Sequence, residues 1–524
     1  MMMRCGLWFL AILSFSPLYF CRAQIAVAIG QNFTGSTYGV DSDGLPADAN
    51  GAIGPNHFVE FVNGRFSVYV RGRGVRVKTM TDREFWLSAG VDLTPGLDIT
   101  DPRIVFDPNS GRWFAVCVDL PVDPNEANRY LLAVSATSDP SGAWNAAGFK
   151  VDSDNGNFGD FPTLGINPDG IVLGADMFDA NQNNTGGSLT AIPKSGLLEV
   201  PLSVADRKYF GGLGFTYGDI LQPVVNLNAT ADSADVLAVS DVGFDGSPHS
   251  TLVGSRLEFG TNSPVLSLPE IISVPSYLLT EFPPQPDGTK DLDNGDCRFS
   301  ATIYRVGDIL FGVHSTQVGA RGAIQWFKIN ATNFALLKSG IIADDALDLF
   351  YPSIAANRDG TVVIGFNGSS ATTFVSSYAV TGDTSSGELT FGKPQLLKPG
   401  MASYHDNGGV GTSRWGDYSA TSVDPTDQTR FWTIQLYASS SNVWSTQITE
   451  LITTPVRLQA IHSGADIIVS WPAAASDFAL QHASSLSPGT SWTAMTPKPV
   501  ALNGQQIVTI SASDAEGYFR LIRP

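Results

Sequence analysis

One loop of this chain concentrates more reactive side chains than any other. "SYHDNGGVGTSRWGDY", Ser403 to Tyr418, holds Tyr404, His405, Asp406, Arg414, Trp415, Asp417 and Tyr418. A histidine base, a guanidinium, a carboxylate and an indole are what binding and cleaving a sugar polymer requires: acid–base groups, an anion clamp and a stacking face. The carboxylate recurs. Asp101, Asp160, Asp219, Asp296, Asp348 and Asp417 each stand just before, or at the head of, a similar apolar phrase, with Asp48 a looser seventh. Held together, such residues form a ring that attracts a hard cation such as Ca²⁺, or a carboxylate pair in which one acid keeps its proton. Held apart, each merely accepts backbone N–H bonds in a turn. Arg298 and Arg414 flank the aspartates of their own phrases and suit a carboxylated sugar, or equally an Arg–Asp tie between neighbours. Arg103 sits at an alternate position of its strand, which argues against its facing the same space.

These residues define the expected roles. Asp160, Asp417, Tyr351 and His405 are the catalytic candidates. Arg298, Arg414, Trp415 and Tyr418 are the substrate-binding ones, and Asp101, Asp219 and Asp296 the metal ligands, with Ca²⁺ the only cofactor expected. "DSDG" at Asp41, "DSDNGN" at Asp152 and "DLDNGD" at Asp291 add weak calcium-loop signals, none completed by a distal Glu. His57 and His314 are isolated on strand-like segments and read as satisfied core or rim groups. No zinc spacing, Gly-x-Ser-x-Gly elbow or P-loop is visible.

The elements that position these groups repeat. "FPTLGINPDGIVLG" from Phe161 returns as "YPSIAANRDGTVVIG" at Tyr351. Related phrases begin at Gly51, Asp101, Gln222, Arg298 and Tyr418, spaced by about 50 to 75 residues. Each reads as a hairpin with an Asn/Asp/Gly turn and a continuous apolar second strand, usually followed by two more β-rich runs. A four-strand unit cannot bury both faces alone, whereas a closed ring of them can. The expected fold is therefore all-β: a seven-bladed β-propeller over residues 24–454. Closure needs the chain ends, so "IAVAIGQNFTG" (Ile25 to Gly35) and "WSTQITELIT" (Trp444 to Thr453) are expected to share the last blade. Residues 456–524 hold five short strand signals and read as a fibronectin/Ig-like β-sandwich anchored by Trp471.

Composition agrees with short strands and many turns: 53 Gly, 31 Pro and only 15% charged residues. Residues 1–23 read as a signal peptide, with Arg4, an apolar run from Leu7 to Phe20, and cleavage after Ala23. Its removal takes two arginines and moves the formal charge from −19 to about −21. Such acidity argues against a nucleic-acid partner, and no later segment suits a membrane span. The mature chain keeps Cys117 and Cys297, for which a buried thiol is preferred over a disulfide at Cys117.

"NGAIGPNHFVEFVNGRFSVY", "DPRIVFDPNSGRWFAV", "AVSATSDPSGAW" and "RWGDYSATSVDPTDQTRFWT" together resemble a family of secreted bacterial β-propeller proteins, across nearly all of the first domain. That resemblance implies fold and export rather than a reaction. The final segment is similar to β-sandwich tails of secreted bacterial proteins, and "TSDPSGAW" is similar to the structural Asp-box turn of sialidases. The functional expectation is a secreted or cell-surface protein binding a polysaccharide or glycoconjugate at the channel mouth, with glycoside hydrolysis the reaction if it is an enzyme. The alternatives are a non-catalytic extracellular interaction module and a polysaccharide lyase using His405 or Tyr404.

Overall fold

The computed structural model describes residues 25–122, 127–230, 233–260, 263–384, 388–408, 411–476, 478–485, 490–511 and 518–522. The expected signal peptide lies outside them. The described chain is all-β apart from short helical turns such as Asp82–Ser88. No helix among the described residues is long and apolar enough to cross a membrane.

Two compact units are present. The larger comprises residues 27–382 and 391–454. Its strands form antiparallel meanders in chain order. The first runs Asn50–Ile53, His57–Val62, Arg65–Val70, Val75–Met80, and the second Asp98–Asp107, Arg112–Leu120, Arg129–Ser135, Trp144–Lys150. Meanders opened by Phe158–Ile166 and Tyr304–Val306 are fused into one nine-stranded sheet through the two-residue strand Val225–Asn226. Asp219–Pro223, Asp348–Ala356 and Ala420–Val423 open the others. In the sheet opened by Ala420–Val423, the fourth strand is Ile25–Thr37, hydrogen-bonded beside Val443–Pro455, so the chain ends meet there as the sequence implied. The opening strands pack in succession from Asn50–Ile53 to Asp219–Pro223, Val225–Asn226 joins Phe158–Ile166 to Tyr304–Val306, Tyr304–Val306 packs on Asp348–Ala356, and Ala420–Val423 packs on both Asp348–Ala356 and Asn50–Ile53, closing a ring.

The opening strands share a local distortion. Asp101, Phe161, Ile220 and Tyr351 have φ of 60°, 50°, 57° and 47°, each inside a break of strand register. A bulge with one left-handed residue bends the strand and re-aims its side chains at the ring's end. For non-glycine residues this costs on the order of 1–3 kcal/mol each, so packing must hold it. The register also explains why both repeated phrases end on glycine. A Cβ on Gly174 would clash with the Thr163 hydroxyl, and one on Gly365 with Thr433 Oγ1. Hydroxyls also tie neighbouring sheets: Thr163 Oγ1 donates to Leu221 O at 2.7 Å, and Ser353 pairs at 2.8 Å with Thr421, which Thr433 Oγ1 meets at 2.9 Å.

The smaller unit comprises residues from Pro455 onward with Ile25–Ala26 and the described part of Asp383–Thr390. One sheet orders Gln459–Ser463, Asp466–Pro472, Gln505–Ser511 and Val500–Leu502; the other orders Thr493–Ala494, Ala479–Ala483 and Tyr518–Ile522. Trp471 is fully buried, in a cluster with Val469, Val508, Phe478 and Leu480. Burial of one such large side chain contributes roughly 2–3 kcal/mol, much for a unit this small.

Cys117 and Cys297 are both free and buried. His314 is a neutral core group: burial pushes its pKa down to about 4, while Nδ1 donates to Cys297 O at 2.6 Å.

Candidate functional site

At the N-terminal ends of the opening strands lies a cavity of about 740 Å³. Asp160, Asp293, Asp296, Asp417, Arg298, Arg414 and Tyr351 line it, with Phe161, Phe244 and Phe282. Phe244 and Phe282 are exposed at its rim. Six of the residues singled out from the sequence thus converge.

Asp160 stands just before the bulge at Phe161 and pairs in register with Asp176 on the next strand. Burial raises the pKa of Asp160, and neighbouring Asp417 raises it further against Arg298 and Arg414. Burial pushes Asp176 up to about 7, with Asn184 Nδ2 donating to both its oxygens at 2.9 Å. Asp293 is raised by burial and by Asp417; it accepts from Tyr351 Oη at 3.2 Å and Gly295 N at 3.0 Å. Low-dielectric surroundings and like charges thus both disfavour full ionisation of the carboxyls at this end of the ring.

The two arginines differ. Arg298 is locked, its guanidinium forked on Asp296 at 2.6–2.9 Å and stacked 4.6 Å from the Phe161 ring centre. Arg414 spans Asp293 and Asp417 through contacts of 3.4 Å, long for charged pairs. It is the cation more readily transferred to an incoming anion.

Below the cavity the ring is closed by Arg103, which corrects the expectation that it faces elsewhere. Only 4% exposed, it donates to Pro162 O at 2.9 Å and Ser300 O at 2.8 Å and lies 3.4 Å from the Tyr418 ring centre. The bulge at Asp101 aims it inward. Beside it Asp48 and Asp101 are buried together and raised, by burial first and then by surrounding carboxylates. Asp48 accepts from Asn63 Nδ2 at 2.8 Å and from Asp417 N at 3.0 Å, so it positions the backbone of Asp417.

Other expectations are corrected. Trp415 is fully buried, its Nε1 donating to Asn367 Oδ1 at 3.0 Å and its ring edge-on to Tyr404, so it offers no face to a sugar. Tyr418 is 1% exposed beneath Arg103, and its hydroxyl donates to Pro102 O. His405 does not line the cavity. It is clasped by Asp287 at 2.6 Å and Asp291 at 3.3 Å; burial lowers its pKa, but the two carboxylates raise it on balance. Asp348 holds Arg321 at 3.0 Å and the Gly322 N–H in the neighbouring meander. Asp101, Asp219 and Asp296 do not form a close group of metal-type ligands among the described residues: Asp296 is forked by Arg298, Asp101 Oδ1 accepts from Thr100 Oγ1, and Asp219 lines a second cavity with Asp241. Among the described residues, one group of three metal-type ligands lies within 4.8 Å: Asp241, Asp245 and His249. Asp241 and Asp245 line a cavity of about 480 Å³ that shares Phe244 and Arg298 with the first.

Sequence reasoning missed Asp293, read only as part of a calcium-like turn, and Asp176. Counting back across the Asn167–Gly170 turn, with one residue allowed for the bulge, would have paired Asp176 with Asp160.

The Asp-box-like turn is held from within and from its neighbours: Asp139 accepts from Ser141 N–H and Oγ–H, Trp144 Nε1 donates to Pro140 O at 2.9 Å, and Lys78 Nζ donates to Ser141 O at 3.0 Å.

No family model and no curated protein matches the chain. Among solved structures it is similar to a Trypanosoma rangeli sialidase, at 8% identity over 93% of this chain and 89% of that one, TM-score 0.35. A Fusarium graminearum α-L-arabinofuranosidase with an iminosugar inhibitor matches at 9% identity, covering 82% and 98%, TM-score 0.37. Kluyveromyces lactis Hsv2 matches at 9% identity, covering 77% and 98%, TM-score 0.33. Likeness at this level says nothing of the site, whose reading rests on its residues.

Proposed function

We propose that the larger unit is a seven-bladed β-propeller, followed by a fibronectin/Ig-like β-sandwich, in an exported protein that binds a polysaccharide or glycoconjugate at the carboxylate-rich mouth and hydrolyses its glycosidic bond. The observation that carries this reading is the pairing of unlike carboxylates in one open cavity. Asp160 is half-buried and its pKa is raised by desolvation and by neighbouring Asp417, while Asp417 faces Arg414 across the same space.

In this reading Asp160 gives its proton to the leaving glycosidic oxygen as that C–O bond breaks. Asp417 attacks the anomeric carbon or takes a proton from the water that does. Arg414 shifts from its two long contacts to clamp a substrate carboxylate, Tyr351 holds Asp293 in place, and the exposed Phe244 and Phe282 rings cover a sugar face. Arg298, tied to Asp296, is positional. His405 lies off the cavity, which counts against the lyase alternative. A second reading, the non-catalytic interaction module, draws on the plugged floor: Arg103 ties the ring's centre together as a purely structural device would.

The test incubates the mature chain with a panel of polysaccharides and sialylated glycans, with Ca²⁺ and with EDTA, assaying reducing ends and unsaturated uronides. Reducing ends that vanish in Asp160→Asn and Asp417→Asn support hydrolysis. Unsaturated product would move the reading to the lyase. Glycan binding without product would move it to the module, and neither binding nor product sinks the glycan reading altogether.

A further inference from the structure

The ring has a second end. Its opening strands leave the mouth and finish at Ile53, Asp107, Ala356 and Val423, with Val225–Asn226 and Tyr304–Val306 beside them. Around these termini lies a separate cavity of about 280 Å³. Its wall is mixed, with apolar residues such as Ile53, Leu227 and Val423 beside neutral polar ones such as Asn109 and Gln428. Its chemistry opposes that of the mouth. The chain carries 50 Asp and Glu against 31 Lys and Arg, yet none of the residues described as lining this cavity is acidic, and two are arginines.

The two arginines are not equivalent. Arg305 is committed to Asp235 at 3.0 Å and to Gly307 O. Arg358 is exposed, and among the described residues its guanidinium has neither an ion-pair nor a hydrogen-bond partner. Tyr304 also lines the cavity, with no partner for its hydroxyl among the described residues. Burial pushes its pKa up, so it is a neutral donor. An uncommitted guanidinium and an uncommitted hydroxyl beside the apolar part of the wall complement one anionic head on an apolar body.

We propose that this cavity binds an apolar monocarboxylate of about ten heavy atoms, its chain among Ile53, Leu227 and Val423, its carboxylate on Arg358 with Tyr304 donating. The site is independent of the mouth and of any reaction there.

Calorimetric titration of the full mature chain with octanoate tests it, with octan-1-ol and octylamine as uncharged and cationic probes of the same length. Octanoate is expected to saturate at one per chain. Arg358→Gln, an exposed change that leaves the fold intact, weakens it about tenfold, and octan-1-ol matches that weakened affinity. Tyr304→Phe gives a smaller loss. Asp417→Asn, at the opposite end, leaves octanoate binding unchanged. No saturable octanoate binding below about 10 mM (a free energy of only some −3 kcal/mol) overturns the proposal. So do equal affinities for all three probes with no effect of Arg358→Gln, or loss of octanoate binding in Asp417→Asn.

Discussion

The two ends of the ring are built from the same strands and have opposite electrostatics. At the N-terminal ends, Asp160, Asp293, Asp296 and Asp417 crowd one cavity, with the pKa raised at Asp160 and Asp293 and an arginine on Asp296 and on Asp417. At the C-terminal ends, the lining has no described carboxylate, and one guanidinium is left over. The bulges sit near the first end, where the strands bend and re-aim polar side chains; the second end receives the tail of each regular apolar run. A repeated unit thus makes two unlike surfaces because its two ends differ locally, and Arg103 with Tyr418 and Phe161 blocks the ring between them.

The largest effect expected from breaking this contrast is chemical. Asp160→Asn or Asp417→Asn should lower the hydrolysis rate by about 10²–10⁴ while leaving octanoate titration at the far end intact. Removing the divider is next. Arg103→Met leaves the Pro162 and Ser300 carbonyls without their donor and takes from Asp101 the cation that offsets its burial. Denaturant unfolding should show a loss of about 2–4 kcal/mol.

The raised carboxyls at this end of the ring set a pH signature. Asp176, raised from 3.8 to about 7, binds its proton more tightly folded than unfolded. Its contribution is therefore fully present below the unfolded value and is lost as pH rises from about 4 to about 7. Asp48, Asp101, Asp160 and Asp293 act in the same direction. Tm measured across that window should fall with rising pH, and Asp176→Asn should flatten the slope by about 1–3 kcal/mol. A Tm that rises steadily from pH 4 to 7 would contradict this account. Gly365→Ala should cost about 1–3 kcal/mol by forcing Thr433 out of its place between sheets, without altering either cavity. The smallest effect is the tenfold loss of octanoate affinity in Arg358→Gln, with stability unchanged.

Much of this was legible in the chain. The repeated phrase, with its turn, its apolar run and its closing glycine, determined that the fold is built of β-hairpins. The pairing of Ile25–Thr37 with Val443–Pro455 followed from the need to close a ring. The aspartate before Phe161 and Tyr418 marked the mouth, because both lie next to a bulge or loop that any such unit must present at its end. Tertiary structure alone decided which members of the series meet. Asp101 occupies the left-handed position itself, whereas Asp160 and Asp219 precede it, and Asp348 stands two residues too early and turns to Arg321. A one-residue offset at a bulge changes the face a side chain takes, and no local pattern reports it. The same holds for Trp415, Tyr418 and Arg103. Their types suggested ligand contact, but the space around them is filled by residues from distant sheets, and burial is a property of the closed ring rather than of any one stretch of chain.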